Sequence, residues 1–207
     1  MTYNIITAGV GGQGLMLLSN VIGLACAEMH LNIKTAETHG LAQRSGSIST
    51  HVRIGENVLS PLIPYGEADV MVSMEAMETL RNCEFIADGG TVIINAFMWH
   101  PVQSTFTRVK SRGKTPYVTF SEIRDRLLTI TPHVRVIDCL NLANKAGNPL
   151  TTNTVLLGAL ARVEGFPIKI DALKQALSRA VPPSTLESNL HALQLGYDEY
   201  EIMIEES

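Results

Sequence analysis

Residues 5 to 14 read IITAGVGGQG, and that stretch limits the fold more than any other in the chain. Tyr3 to Thr7 is an apolar run rich in β-branched residues and reads as a buried strand. It leads directly into Gly9, Gly11, Gly12 and Gly14. Gln13 to Glu28 then carries Leu17, Leu18, Val21, Leu24 and Ala25 at helical spacing, which predicts a helix. Gly9, Gly11 and Gly14 satisfy G-x-G-x-x-G between that strand and that helix, the pattern of a dinucleotide turn. Glycines admit positive φ, expected here at Gly11, and let a backbone approach a ligand closely. The helix start offers free N–H groups and a positive dipole end to a phosphate. Glu37 falls after the second predicted strand, about where a ribose-binding acid would sit. The same loop also serves close strand–helix packing with no ligand, and both readings stand. The Lys and Ser/Thr of a nucleotide-hydrolysing loop are absent, so hydrolysis is not supported.

Further strands are expected at Asn32 to Ala36, Ser47 to Ile54, Val70 to Ser73, Thr91 to Ala96 and Val134 to Asp138. Asn57 to Leu62 reads as a hairpin partner returning around Gly55. Helices are expected at Glu75 to Asn82, Thr152 to Glu164, Ile170 to Arg179 and Thr185 to Tyr200. Strands and helices alternate early and helices cluster late. The fold class is therefore α/β: a single Rossmann-like domain over residues 1–207, with a mostly parallel sheet flanked by helices. An antiparallel excursion lies near residues 47–62, and the C-terminal part is helical. The glycine loop belongs at the carboxyl edge of such a sheet.

The segment Glu37 to Gly55, ETHGLAQRSGSISTHVRIG, concentrates groups capable of chemistry. His39 can donate, accept or titrate near neutrality. Gln43 can fix orientation by hydrogen bonds. Arg44 can grip a carboxylate or phosphate through its planar fork. Gly40 and Gly46 supply turns. His51 and Arg53, two apart on the following strand, share one face and read as structural or interfacial.

A net charge of −4 leaves no electrostatic footprint for nucleic acid, and aromatics at 5% argue against base stacking. No apolar run is long enough to span a membrane, and no secretory signal opens the chain, so a cytoplasmic location is expected. Cys26, Cys83 and Cys139 are dispersed. They cannot ligate a four-cysteine iron–sulfur cluster and form no metal-spaced set, so no metal site is expected on this chain.

Three stretches together carry a family resemblance: AGVGGQG; AETHGLAQRSGSISTHVRIG; and SPLIPYGEADVMVSMEAMETLR. With NTVLLGAL at Asn153 to Leu160 and PPSTLESNLHALQLGY at Pro182 to Tyr197, they resemble the gamma-type subunit of 2-oxoacid:ferredoxin oxidoreductases. The pattern is most similar to the beta subunit of the indolepyruvate branch, which GKTPYVTFSEI also resembles. Ser45 stands where many relatives have glycine.

The resemblance implies a division of labour. An alpha subunit would carry thiamine diphosphate and iron–sulfur clusters. The complex would decarboxylate an aryl 2-oxoacid oxidatively, passing acyl to coenzyme A and two electrons to ferredoxin. This chain would bind no cofactor alone, and in isolation it could dimerise through surface meant for the partner. His39, Gln43 and Arg44 would be its catalytic contribution, facing the partner's cofactor. Gly9, Gly11, Gly12, Gln13, Gly14 and Asn153 would shape the helix–sheet junction or hold a coenzyme A phosphate. Asn153 and Glu75, each at a predicted helix start, are also candidate caps. A stand-alone NAD(P)- or flavin-dependent enzyme and a non-catalytic docking scaffold are the alternative readings.

Overall fold

The computed structural model describes residues 2–40, 46–99 and 118–205, with side chains as far as Glu201. The strands are β1 (Tyr3–Val10), β2 (Ile33–His39), β3 (Ser47–Ile54), β4 (Ala68–Ser73), β5 (Ile86–Asn95) and β6 (Val134–Ile137). They form one sheet in the order β2-β3-β1-β4-β5-β6. β1, β4, β5 and β6 are mutually parallel. β3 runs antiparallel to both β1 and β2.

The described helices are α1 (Leu15–Glu28), α2 (Ala76–Arg81), α3 (Phe120–Leu128), α4 (Cys139–Lys145), α5 (Thr152–Leu160), α6 (Ile170–Ala180) and α7 (Pro183–Glu205). The central strands are apolar on both faces, as a doubly covered sheet requires. Ile5, Val52, Val70, Val72 and Ile93 pack against α1 and α4 to α7 on one face. Ile6, Met71, Val92 and Ile94 pack against α2 and α3 on the other.

Two glycines bring α5 and α7 unusually close. A Cβ on Gly158 would lie 2.0 Å from the Leu193 carbonyl oxygen, and one on Gly196 would lie 1.9 Å from that of Val155. Each glycine therefore admits the other helix's backbone.

Four expectations need correction. Asn57 to Leu62 forms no strand, because β3 already has β1 and β2 on its two sides. Pro61 also lacks a ladder donor, and Arg53 Nη1 donates instead to the carbonyls of Ser60 (3.2 Å) and Leu62 (3.1 Å). Glu37, Thr38 and His39 lie within β2, so only residues 40–46 join β2 to β3. α5 ends at Leu160 rather than Glu164, and α1 begins at Leu15 because Gly14 is left-handed.

Candidate site at the carboxyl edge of the sheet

The ends of β1, β2, β4, β5 and β6 and the start of β3 share one edge. That edge gathers most of the residues singled out from the sequence. The glycine loop leaves β1 there and closes on itself. Gln13 Oε1 accepts from the Val10 N–H at 2.8 Å, and the Gln13 N–H donates to the Val10 carbonyl at 3.3 Å. A Cβ on Gly9 would stand 2.7 Å from that amide oxygen and 3.1 Å from Met74 Cβ, so a side chain there would push Gln13 or Met74 aside. Positive φ falls on Gly12 (96°) and Gly14 (79°), not on Gly11 as expected. Gly11 instead donates its N–H to the Gly46 carbonyl at 3.0 Å.

Asn153 is 5% exposed and belongs to this loop, 139 residues away in sequence. Its Nδ2 donates to the Gly14 carbonyl at 3.1 Å, and its Oδ1 accepts from the Thr154 N–H at 2.9 Å. Asn153 is thus no helix cap, since Thr151 holds that position in α5. Thr154 Oγ1 continues the string to Asn189 on α7 at 2.7 Å. The side chains of Gln13 and Asn153 are therefore engaged within the protein. The main chain at the start of α1 has no side-chain cap, which leaves the positive end of a 14-residue helix facing the edge.

His39 closes β2 opposite Ile48, and Ile48 lies opposite Gly9. The two candidates therefore flank one residue of β3. The His39 side chain is 56% exposed, with Nε2 3.2 Å from Glu37 Oε2. Gln43 and Arg44 lie outside the described residues. On either side of them, the Gly40 N–H donates to the Ser47 carbonyl at 2.7 Å.

This topology does not suit a dinucleotide. In the doubly wound dinucleotide fold the second strand lies beside the first and carries the ribose acid at its end. Here β3 intervenes. Glu37 faces Thr50, which faces Thr7, so it stands two strand spacings from β1, about 10 Å.

α2 brings two buried acids to the same edge. Glu75 and Glu78 are each 1% exposed. Glu75 caps α2, accepting the Glu78 N–H at 2.9 Å, and its other oxygen accepts the Trp99 N–H at 2.8 Å. Burial raises its pKa above the ordinary 4.5. Glu78 accepts from Ser47 Oγ and from Arg81 Nη1. Sequence reasoning missed the Glu78–Ser47 contact. The available signal was two acids three apart in an otherwise apolar stretch, with Arg81 three further on.

His51 and Arg53 are structural. His51 Nδ1 accepts the Ile63 N–H at 3.2 Å and its ring meets Phe85 edge-on, while Arg53 Nε donates to Asn4 at 2.9 Å. A cavity of about 860 Å³ opens at the opposite, amino edge, beside Tyr3, His30, Asp69 and Asp88. None of the candidate residues lines it. Among the described residues no three His, Cys, Asp or Glu side chains could jointly hold a metal ion, and no helix is long and apolar enough to cross a membrane.

The profile of the pyruvate ferredoxin/flavodoxin oxidoreductase family matches residues 4–199. The chain belongs to this family. It is similar to the indolepyruvate oxidoreductase subunit IorB of Archaeoglobus fulgidus, at 39% identity over 96% of each chain. The IorB subunit of Thermococcus kodakarensis is 37% identical over 94% of each. Its fold is that of the keto/oxoacid ferredoxin oxidoreductase gamma subunit from Geobacter sulfurreducens, with a TM-score of 0.69, 19% identity and 98% of each chain covered.

Proposed function

We propose that this chain is the subunit without a resident cofactor in a 2-oxoacid:ferredoxin oxidoreductase that acts on indolepyruvate and other aryl pyruvates. The observation that supports this best is the near full-length similarity to two IorB subunits at 37% and 39% identity. In this reading the complex works in the cytoplasm and yields aryl-acetyl-coenzyme A and carbon dioxide, with two electrons passing to ferredoxin. Thiamine diphosphate and iron–sulfur clusters on an alpha subunit supply the decarboxylation and the electron path. Three dispersed cysteines exclude a four-cysteine cluster ligated by this chain alone.

The carboxyl edge is this chain's contribution. Arg44 pairs its guanidinium with a carboxylate or phosphate, because its fork binds two oxygens and stays charged. Gln43 fixes the orientation of that group. His39 orients the arginine or meets the reacting adduct on the partner. The uncapped start of α1 offers N–H groups to a phosphate of coenzyme A.

The test is anaerobic dye reduction by the complex reconstituted with its partner subunit, dependent on both indolepyruvate and coenzyme A. Omitting this chain should abolish turnover. Arg44→Lys should lower it with subunit stoichiometry intact, and Arg44→Ala should lower it further, by on the order of 2–5 kcal/mol. A complex that prefers pyruvate or 2-oxoglutarate overturns the aryl assignment. Wild-type turnover and KM in both Arg44→Ala and His39→Ala overturn the site.

A further inference from the structure

We infer that Glu78 is a positioning residue: acting through Ser47, it holds the end of β2 and the start of β3 in register against the glycine loop. The inference deepens the reading above, because it concerns the edge proposed to meet substrate.

A buried carboxylate needs donors on both oxygens. Glu78, 1% exposed, receives the Ser47 hydroxyl on one and the Arg81 guanidinium on the other. Both partners are donors, and an ionised carboxylate, an acceptor at every lone pair, serves both at once. Glutamine would turn an NH₂ group against one of them.

Ser47 is the first residue of β3 and lies 31 positions from Glu78 in sequence. Its carbonyl accepts from Gly40 at 2.7 Å, and the carbonyl before it, on Gly46, accepts from Gly11 at 3.0 Å. The exit of β2, the entry of β3 and the glycine loop thus meet within two adjacent residues. Glu78 reaches that junction from the helical layer.

Its anchor is firm. The Ala76 N–H donates to the Phe97 carbonyl at 3.0 Å, Thr79 Oγ1 to the Glu75 carbonyl at 3.1 Å, and Asn82 Nδ2 to the Glu78 carbonyl at 2.9 Å. Joining the end of β2 to the start of β3 requires no buried charge, since the Gly40–Ser47 bond already does it. A charge placed there at a desolvation cost sets position instead. His39, opposite Ile48, moves with that register.

The test uses Ser47→Ala, Ser47→Thr and Glu78→Gln in the full chain and in the complex with its partner subunit. Ser47→Ala removes the hydroxyl and leaves Glu78 paired with Arg81, so it stays informative if Glu78→Gln does not fold. Amide exchange should quicken about tenfold or more at residues 38–40, 46–50 and 9–14, as expected for losing a hydrogen bond to a charged group, with β4 and β5 unchanged. The assembled complex should lose kcat by about the same factor at unaltered subunit stoichiometry. Ser47→Thr should restore both readouts. Wild-type exchange in Ser47→Ala overturns the anchor. Faster exchange with wild-type kcat overturns the positioning role. A wild-type complex that oxidises no 2-oxoacid overturns the functional reading, and the exchange pattern still decides the anchor.

Discussion

Gly14→Ala tests what the glycine loop does for the fold. Gly14 sits at φ 79°, where an L side chain costs roughly 1–2 kcal/mol. Its Cβ would also stand 2.4 Å from Asn153 Nδ2, so the amide must leave the Gly14 carbonyl. Displacing a buried amide from its partner adds about 1–3 kcal/mol. Together these predict a loss of about 2–5 kcal/mol in urea unfolding followed by circular dichroism. Asn153→Ala alone should cost about 1–3 kcal/mol, because its partners on Gly14 and Thr154 are orphaned. The double variant carries the φ strain but no clash, since the Asn153 Cβ lies 3.7 Å away. Its loss should fall short of the sum by roughly 1–3 kcal/mol, the range of coupled neighbours. Strict additivity, or a Gly14→Ala protein as stable as wild type, would refute the close approach of the α5 amide to the loop.

Gly196→Ala should lower stability by about 1–3 kcal/mol or more, despite alanine's better helix propensity, because its Cβ meets the Val155 carbonyl at 1.9 Å. On heating this is a fall in Tm of several degrees, and a rise would refute the tight crossing of α5 and α7. Burial holds the His51 pKa below 6.5, so its contribution is complete above pH 6.5 and is lost as pH falls through the lowered folded value. His51→Asn, which keeps an acceptor near the Ile63 N–H, should flatten that acid-side slope in urea midpoints, and an unchanged slope would refute it.

The opening strand and helix were legible because both periodicities are local. The end of β2 was not: Glu37, Thr38 and His39 are exposed on an edge strand, so no apolar alternation marks them. Nothing local places β3 between β1 and β2, since that order depends on pairing across the whole chain. The same insertion separates Glu37 from the glycine loop and undoes the dinucleotide geometry that the motif suggested. α3 did carry a readable signal, Thr119 and Glu122 in a reciprocal capping box, which the search for longer periodic runs passed over. At the candidate site, His39 and the glycines were singled out by residue type and spacing. Glu78 was not, because the local spacing of Glu75, Glu78 and Arg81 marks a helix turn but does not point to Ser47, 31 residues away.

The glycines of the loop answer to different structural demands. A side chain at Gly9 would displace Gln13 or Met74, and one at Gly14 would displace Asn153. Those demands are met by packing alone, with no ligand. Gly12 is different: at φ 96° it is exposed, and a Cβ there would meet nothing within 4 Å. Its glycine answers to backbone conformation, not to crowding within this chain. The side chains of Gln13 and Asn153 are turned inward to close the loop, while the first turn of α1 keeps its main-chain donors without a cap. The start of α1 therefore presents main-chain N–H groups to the edge without a capping side chain.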